Sequence, residues 1–168
     1  GVQTCALPIS VLWLLADNEW AAANMRARAA ARGVDPDRLL PAARTSPGHY
    51  RARLALADLF LDTTPYNAGT IASDALRMGL PLLTLSGETF ASRMAGSLLR
   101  AMDLPELITG NRGDYVDRAV RHATDPAFHA SIRARTTPDR WLATLGDTAR
   151  FVRTFEDTLE KVALRRHP

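Results

Sequence analysis

Cysteine, lysine and long apolar segments are nearly absent from this sequence of 168 residues. Cys5 is the single cysteine, which excludes an internal disulfide and a metal site built from cysteine clusters. No apolar run reaches the roughly 20 residues that span a bilayer, and no basic and apolar leader opens the chain. We therefore expect a cytoplasmic protein with no membrane partner.

Glycine and proline are also scarce, at ten residues each, which excludes a fibrous or low-complexity chain. What is present is ordinary globular composition, with 46% hydrophobic and 23% charged residues. A domain of this length buries roughly 70% of the surface of its unfolded chain, so a real core is expected.

Basic residues exceed acidic ones only slightly, giving a net charge of +3. All 21 basic residues except Lys161 are arginine, and they alternate with Asp and Glu along the chain. A nucleic-acid-binding protein would gather its basic residues on one stripe. The sequence therefore predicts no nucleic-acid partner.

The first nine residues, GVQTCALPI, resemble the translation of a sequencing-library adapter. We expect residues 1–9 to be an artefact that takes no part in the fold. Cys5 lies in this segment, so we expect no catalytic or metal-binding cysteine in the protein. The rest of the chain is expected to be the C-terminal part of a longer protein.

Short apolar runs alternate with helical segments after residue 10. This rhythm is typical of a Rossmann-like α/β domain, a parallel sheet with helices on both faces, which we expect over residues 10–138. The apolar runs predict strands at 11–16, 39–43, 59–62, 81–85 and 107–108, and the continuous run at 11–16 is typical of a buried parallel strand. The helical patterns predict helices at 19–32, 47–57, 70–78, 90–102, 112–124 and 126–135.

The C-terminal segment carries an apolar stripe at alternating spacings of four and three residues, which predicts one long amphipathic helix within residues 139–168. Its members are Trp141, Leu145, Thr148, Val152, Phe155, Leu159 and Val162. We expect this helix to pack back on the domain. The alternative is packing on a neighbouring domain or partner outside this chain.

The strongest candidate site is the loop and helix start at residues 63–74, TTPYNAGTIASD. It follows a predicted strand, and ligands of open α/β sheets bind at such carboxyl ends. Asn67, Ala68 and Gly69 would let the backbone approach a ligand closely. The amides of the first helical turn lack intrahelical partners and carry the positive end of the helix dipole, which suits a phosphate.

Thr70 and Asp74 lie four residues apart and share one face of this helix. We interpret Thr70 as a contact to pyrophosphate and Asp74 as an acceptor for ribose hydroxyls. In the alternative interpretation, Thr70 is only a helix cap and Asp74 a solvated residue. The loop is neither a GxGxxG nor a Walker motif.

Two other loops are weaker candidates. Residues 86–93, SGETFASR, contain Gly87 for a turn and Thr89 as a possible helix cap. In the other, residues 45–53, a base pocket could be lined by Thr45, His49, Tyr50 and Arg53, although His49 is expected at the surface rather than as a catalytic base. No metal-ligand spacing and no GxSxG nucleophile motif is present.

One long segment carries a family resemblance. Residues 56–99, LADLFLDTTPYNAGTIASDALRMGLPLLTLSGETFASRMAGSLL, resemble the C-terminal catalytic half of the O-linked N-acetylglucosaminyltransferase and SPINDLY family, glycosyltransferase family 41. SVLWLL at 10–15 and ELITGNRGDYVDRAV at 106–120 match as well. The similarity is greatest to the bacterial members that carry TPR repeats.

The resemblance implies the donor-binding half of a GT-B fold and the transfer of a sugar from UDP-N-acetylglucosamine, or a similar donor, to Ser or Thr of proteins. It implies that Thr70 and the Ile71 amide hold pyrophosphate, that Asp74 binds ribose, and that the segment around Thr45 and Tyr50 faces the base. It implies no metal and no cofactor. The expected partners are the donor, an acceptor protein, and the absent N-terminal half with its TPR repeats.

The sequence also departs from the family pattern. Gly69 stands where some members have a histidine, and Ile71 where they have a second threonine. The catalytic residues are expected in the absent N-terminal part, so we predict a transferase fragment that is inactive alone. The alternatives are a non-catalytic nucleotide- or protein-binding module, another GT-B enzyme such as an epimerase, and an NAD-binding regulatory domain.

Overall fold

The computed structural model describes residues 10–16 and 18–166. Residues 1–9, which we expect to take no part in the fold, lie outside the described residues. The described chain is an α/β protein with parallel strands and flanking helices. Its strands are β1 (Leu12–Leu15), β2 (Leu39–Ala42), β3 (Phe60–Leu61), β4 (Leu82–Leu85) and β5 (Ile108–Thr109). Its helices are α1 (Glu19–Ala30), α2 (Pro47–Leu54), α3 (Thr70–Arg77), α4 (Phe90–Ala101), α5 (Arg112–Thr124), α6 (Pro126–Arg135), α7 (Pro138–Ala143) and α8 (Thr148–Arg166).

The strands form two parallel sheets rather than one continuous ladder. β4 lies between β3 and β5, and Phe60 pairs with Leu82 while Thr84 pairs with Ile108. β1 and β2 pair separately, with Leu12 opposite Leu39. The predicted α/β class is confirmed, and the carboxyl ends of β3, β4 and β5 meet at one edge.

The core surrounds β4, whose Leu82, Leu83 and Thr84 are completely buried. Leucines and alanines from α3 and α4 cover the sheet, because both helices place small and branched apolar residues on one face. The main buried cluster comprises Ala72, Leu76, Leu82, Ala95, Leu99, Met102, Leu104, Leu107 and Ile132.

β1 differs from its prediction as a buried strand. No residue of β1 is buried, and its Trp13 and Leu15 are exposed, as is Val11 just before it. An apolar run predicts burial only where a second layer covers the strand, and among the described residues β1 has β2 as its strand neighbour.

The C-terminal stripe is divided between two helices. Trp141 and Leu145 pack against the main core cluster, and the Trp141 indole donates to the Ser73 hydroxyl at 3.2 Å. The chain then turns at residues 144–147 before α8 begins. From Thr148 to Leu164 every residue of α8 is exposed. The apolar face of α8 is therefore not covered by the described part of the chain, unlike the single packed helix that the periodicity predicted.

Gly79 ends α3 in the left-handed region, at a φ of 75°. A Cβ there would lie 3.2 Å from the carbonyl oxygen of Thr136. Both the backbone conformation and the space therefore favour glycine at this position.

We expect Gly79→Ala to lower the free energy of unfolding by about 1–2 kcal/mol, because a side chain is strained in this conformation. Urea unfolding followed by circular dichroism measures the change. Gly48→Ala is the matched control, since Gly48 lies in α2 with nothing within 4 Å of an added Cβ. The control should leave stability unchanged or slightly raised. Equal losses in both variants would contradict the prediction.

His122 of α5 is a buried histidine. Its Nδ1 lies 3.3 Å from Nδ1 of His129, and its ring meets Phe128 edge-on. Burial is the main cause that lowers the pKa of His122 to about 4, and the charge of His129 adds to it. Asp58 acts in the opposite direction, while Arg133 lowers the pKa further.

The folded state therefore prefers neutral His122, so acid lowers the free energy of unfolding. Its contribution to stability is complete above the ordinary histidine pKa of 6.5 and is lost as the pH falls toward 4. We expect a loss of up to about 1.4 kcal/mol per pH unit in that window.

Urea unfolding at several pH values between 7 and 4, for the unmodified chain and for His122→Leu, measures this contribution. Leucine suits the site because His122 Nε2 is buried without a hydrogen-bond partner. The stability difference between the two chains should change across the window. A pH-independent difference would show that His122 does not titrate in this way.

Candidate functional site

The loop at residues 62–69 leaves the carboxyl end of β3 and leads directly into α3. Asp62 is buried at its start, and one carboxylate oxygen accepts the Thr63 and Ala68 amides at 2.9 and 2.8 Å. The other oxygen accepts the Thr84 hydroxyl at 2.6 Å. Burial raises the pKa of Asp62, and these three hydrogen bonds act against that rise. The carboxylate thus joins both ends of the loop to β4.

Asn67 holds the middle of the same loop. Its side-chain amide donates to the carbonyl oxygens of Thr63 and Leu85, and its backbone amide donates to Ala91. Asn67 is 1% exposed, and its Oδ1 is buried without a hydrogen-bond partner. The predicted role of Asn67 in a tight turn therefore rests on side-chain hydrogen bonds.

Gly69, not Thr70, is the N-cap of α3. It has no side chain to cap the helix, so no side-chain hydrogen bond occupies the first turn. Thr70 is the first helical residue, and both Thr70 and Ile71 are exposed. The start of α3 therefore presents backbone amides and the positive end of the helix dipole to solvent.

Gly69 lies outside the left-handed region that favours glycine, and space for a side chain is available. Its φ is −103°, which any residue adopts, and an added Cβ would meet Met94 at an ordinary 3.5 Å. The backbone alone would therefore accept the histidine that some family members carry at this position.

Asp74 lies half-buried one turn into α3, beside Tyr50 of α2. Burial raises the pKa of Tyr50, and the charge of Asp74 raises it further. Among the described residues, the Asp74 carboxylate has no ion pair or hydrogen bond. The structure thus brings together Asp74 and Tyr50, which lie far apart in the sequence, and leaves the carboxylate available.

Thr45 is half-buried just before α2, and His49 is exposed on that helix. The carbonyl oxygen of Ala43 in the same loop accepts a hydrogen bond from Arg53 at 2.8 Å. Arg53 was considered as a lining residue of the base pocket. Its guanidinium donates this hydrogen bond to the loop before α2.

The loop at residues 86–93 is a helix cap. Thr89 and Ser92 form a reciprocal capping box at the start of α4, with the Thr89 amide 3.0 Å from the Ser92 hydroxyl. A Cβ at Gly87 would lie 2.7 Å from that hydroxyl, so glycine is needed for the close approach. These hydroxyls are engaged in the cap, and Arg93 is exposed.

A cavity of about 90 Å³ opens beside the start of α3. Its walls are mainly apolar and include two aromatic residues that are about three-quarters exposed. The lining residues are Tyr66, Asn67, Gly69, Phe90, Ala91 and Met94. Sequence reasoning had not predicted a role for Phe90 or Met94, because only the fold places the start of α4 beside the loop.

Asp62 was also missed, although it is the last residue of the predicted strand 59–62. An acidic residue at that point of a parallel sheet is a usable signal, since its side chain lies at the ligand-binding edge. Within residues 10–16 and 18–166, no group of three or more His, Cys, Asp or Glu residues could hold a metal ion. None of the helices described is long and apolar enough to span a bilayer.

Comparisons with known proteins agree with the resemblance of the motifs. The model of a family described as Glycosyl transferase family 41 matches residues 4–155, a range that begins inside the segment expected to lie outside the fold. A UDP-N-acetylglucosamine–peptide N-acetylglucosaminyltransferase of Caenorhabditis elegans is 36% identical over 91% of this chain. A protein of Arabidopsis thaliana named SEC, described as a probable enzyme of the same kind, is 32% identical over 93% of it.

A solved structure of a mutant O-GlcNAc transferase from Thermobaculum terrenum has a similar fold, with a TM-score of 0.84 and 30% identity over 93% of this chain. The chain spans only part of these proteins, namely 13% of the C. elegans protein, 16% of the A. thaliana protein and 31% of the T. terrenum chain. The fold expected for the C-terminal half of a GT-B enzyme is confirmed. Most of this chain is matched by the family model, and the chain therefore belongs to glycosyl transferase family 41.

Proposed function

We propose that this chain is the donor-binding part of a protein O-glycosyltransferase, which holds UDP-N-acetylglucosamine or a similar nucleotide sugar for transfer to Ser or Thr. The main support is the start of α3, where no side chain caps the first-turn amides and the Asp74 carboxylate lies one turn further along without an ion pair among the described residues. The names of the relatives support it, since the C. elegans protein is named for UDP-N-acetylglucosamine and a peptide acceptor.

The diphosphate would lie at the uncapped first turn of α3, against the backbone amides that follow Gly69. Several unpartnered amides and the helix dipole together attract an anion without a lysine. The Thr70 hydroxyl is exposed at the same turn and can donate to a phosphate oxygen. Ile71 would contribute its amide only, because its side chain is apolar.

The ribose would lie over Asp74, because a carboxylate accepts hydrogen bonds and repels phosphate. Tyr50 faces the same carboxylate and, with Thr45 before α2, would line the base end of the donor. Phosphate, ribose and base would thus follow one another from the start of α3 toward α2.

We also propose that the isolated chain does not transfer sugar. Bond cleavage builds negative charge on the departing diphosphate, and groups that stabilise that charge are a large part of such catalysis. At the start of α3 the described residues offer amides and a hydroxyl, while Arg77 of this helix stacks over Trp141. The catalytic residues would come from an N-terminal GT-B half, and TPR repeats preceding it would bring the acceptor protein.

A non-catalytic nucleotide-binding module is the second candidate, and Ile71 favours it. Its side chain is 45% exposed at the helix start, where a hydroxyl would give a further phosphate contact. Such a module would bind the nucleotide as well, and it would remain inactive when joined to the N-terminal half. Turnover by the joined protein therefore separates the two candidates.

We expect the full chain to bind UDP saturably in isothermal titration calorimetry. Asp74→Ala should weaken binding by roughly tenfold or more, because hydrogen bonds to a charged group are lost. Asp157→Asn is the control, since Asp157 is an exposed carboxylate of α8 to which the proposal assigns no donor contact. The control should bind like the unmodified chain. Equal affinities for the Asp74→Ala variant and the unmodified chain would exclude the ribose role.

We expect no transfer of radiolabelled sugar from UDP-N-acetylglucosamine to an acceptor protein by the isolated chain. The reason is that the isolated chain would lack the groups of an N-terminal half that stabilise negative charge on the departing diphosphate. A scintillation count of precipitated acceptor measures the transfer, with a full-length family member as the positive control. Label above the no-enzyme background would disprove the dependence on a second half.

A further inference from the structure

A buried carboxylate lies directly beneath the loop that ends at the proposed diphosphate site. Asp62 is 6% exposed, and burying a charge is costly unless hydrogen bonds compensate. Its Oδ1 accepts the amides of Thr63 and Ala68, which are the first residue of the loop and the residue just before the helix cap. One oxygen atom therefore holds both ends of the loop.

The other carboxylate oxygen connects the loop to the centre of the sheet. Thr84 of β4 is completely buried, and its hydroxyl donates to Asp62 Oδ2 at 2.6 Å. The Thr84 carbonyl oxygen in turn accepts the hydroxyl of Thr109 on β5 at 2.9 Å. Tyr115 of α5 donates to the Asp62 carbonyl oxygen at 3.0 Å. These hydrogen bonds connect the loop after β3 to β4, β5 and α5.

The side-chain hydrogen bonds of Asp62 constrain the loop more than they stabilise the sheet. β3 and β4 already pair through backbone hydrogen bonds, including that of the Asp62 amide to the Leu83 carbonyl oxygen. Burying a carboxylate carries a desolvation cost that its side-chain hydrogen bonds only offset. A buried carboxylate at this position is therefore better explained by the geometry it imposes on residues 63–69.

We infer that Asp62 is a positioning residue for the donor loop, acting through Ala68 to set where the amides after Gly69 point. This inference rests on the proposed function, because it assigns those amides to the diphosphate. Asp62 itself does not touch the ligand, since both its oxygens face the loop amides and Thr84.

Two buried threonines allow a matched test. Thr84→Val removes the hydroxyl that fixes the Asp62 carboxylate, whereas Thr109→Val removes a hydroxyl of the same network that does not touch the loop. We expect Thr84→Val to raise the Kd for UDP about three- to tenfold at a temperature where all variants are folded. Thr109→Val should lower thermal stability but leave the Kd within twofold.

Amide hydrogen exchange gives a readout without nucleotide. In the Thr84→Val chain, exchange at the Thr63 and Ala68 amides should be faster than in the Thr109→Val chain. Two conservative variants should preserve the hydrogen bonds that hold the loop. Asp62→Asn keeps an acceptor for both amides and can donate to the Thr84 hydroxyl, and Thr84→Ser keeps the donor to Asp62. Both should bind UDP within about twofold of the unmodified chain.

The outcomes separate this inference from the proposed function. If the unmodified chain does not bind UDP, both are overturned. If it binds UDP, and the Thr84→Val and Thr109→Val chains bind equally well, only the positioning role is overturned. If Thr84→Val does not fold while Thr109→Val does, Asp62 is structural and the positioning role is again overturned. Weaker binding by Asp62→Asn would show that the charge, not the geometry, matters.

Discussion

The parallel pairing of β4 with β3 and β5 is the constraint on which the rest of the structure depends. Because β4 is buried on both faces, its neighbours are held in register and their carboxyl ends meet at one edge. The loop from β3 to α3 begins at that edge and closes on the Asp62 carboxylate. A helix start that faces solvent is thereby placed on a rigid support, which is the arrangement that lets a backbone bind an anion without reorganising.

The candidate site relies on backbone amides rather than on cationic side chains. At the start of α3 the cap is Gly69, so no side chain competes with a ligand for the first-turn amides. Asp74 lies one turn further along α3 and its charge acts on Tyr50 of α2; a carboxylate disfavours phosphate and accepts hydrogen bonds from hydroxyl groups. Under the proposed function, the helix start would take the diphosphate and the carboxylate would take the ribose.

Local signals predicted most of the helices and the positions of the strands along the chain. The start of α5 at Arg112 follows Asn111, whose side chain caps the helix, and Asp125 does the same for α6. Such caps are local, so they can be identified in the sequence. The burial of β1 and the packing of α8 were not predictable, because they depend on whether another layer exists. The apolar periodicity of α8 is real, yet its residues from Phe151 to Leu164 are exposed. The site residues stay a prediction; the sequence placed Thr70 and Asp74 on one helix, whereas the proximity of Asp74 to Tyr50 needed the fold.

The sequence by itself determined the α/β class, the family and the helix start that is the candidate site, because each depends on residues close together in the chain. Hydrophobic periodicity, caps and the motif at residues 61–74 are all of this kind. Only the tertiary structure decided that Gly69 is the cap, that Asp62 holds the loop through Thr84, and that His122 is buried against His129. Those outcomes depend on contacts between residues distant in sequence or on the exact end of a helix. Burial and long-range hydrogen bonds, which set the pKa values and the loop geometry, arise only when the strands and helices pack together.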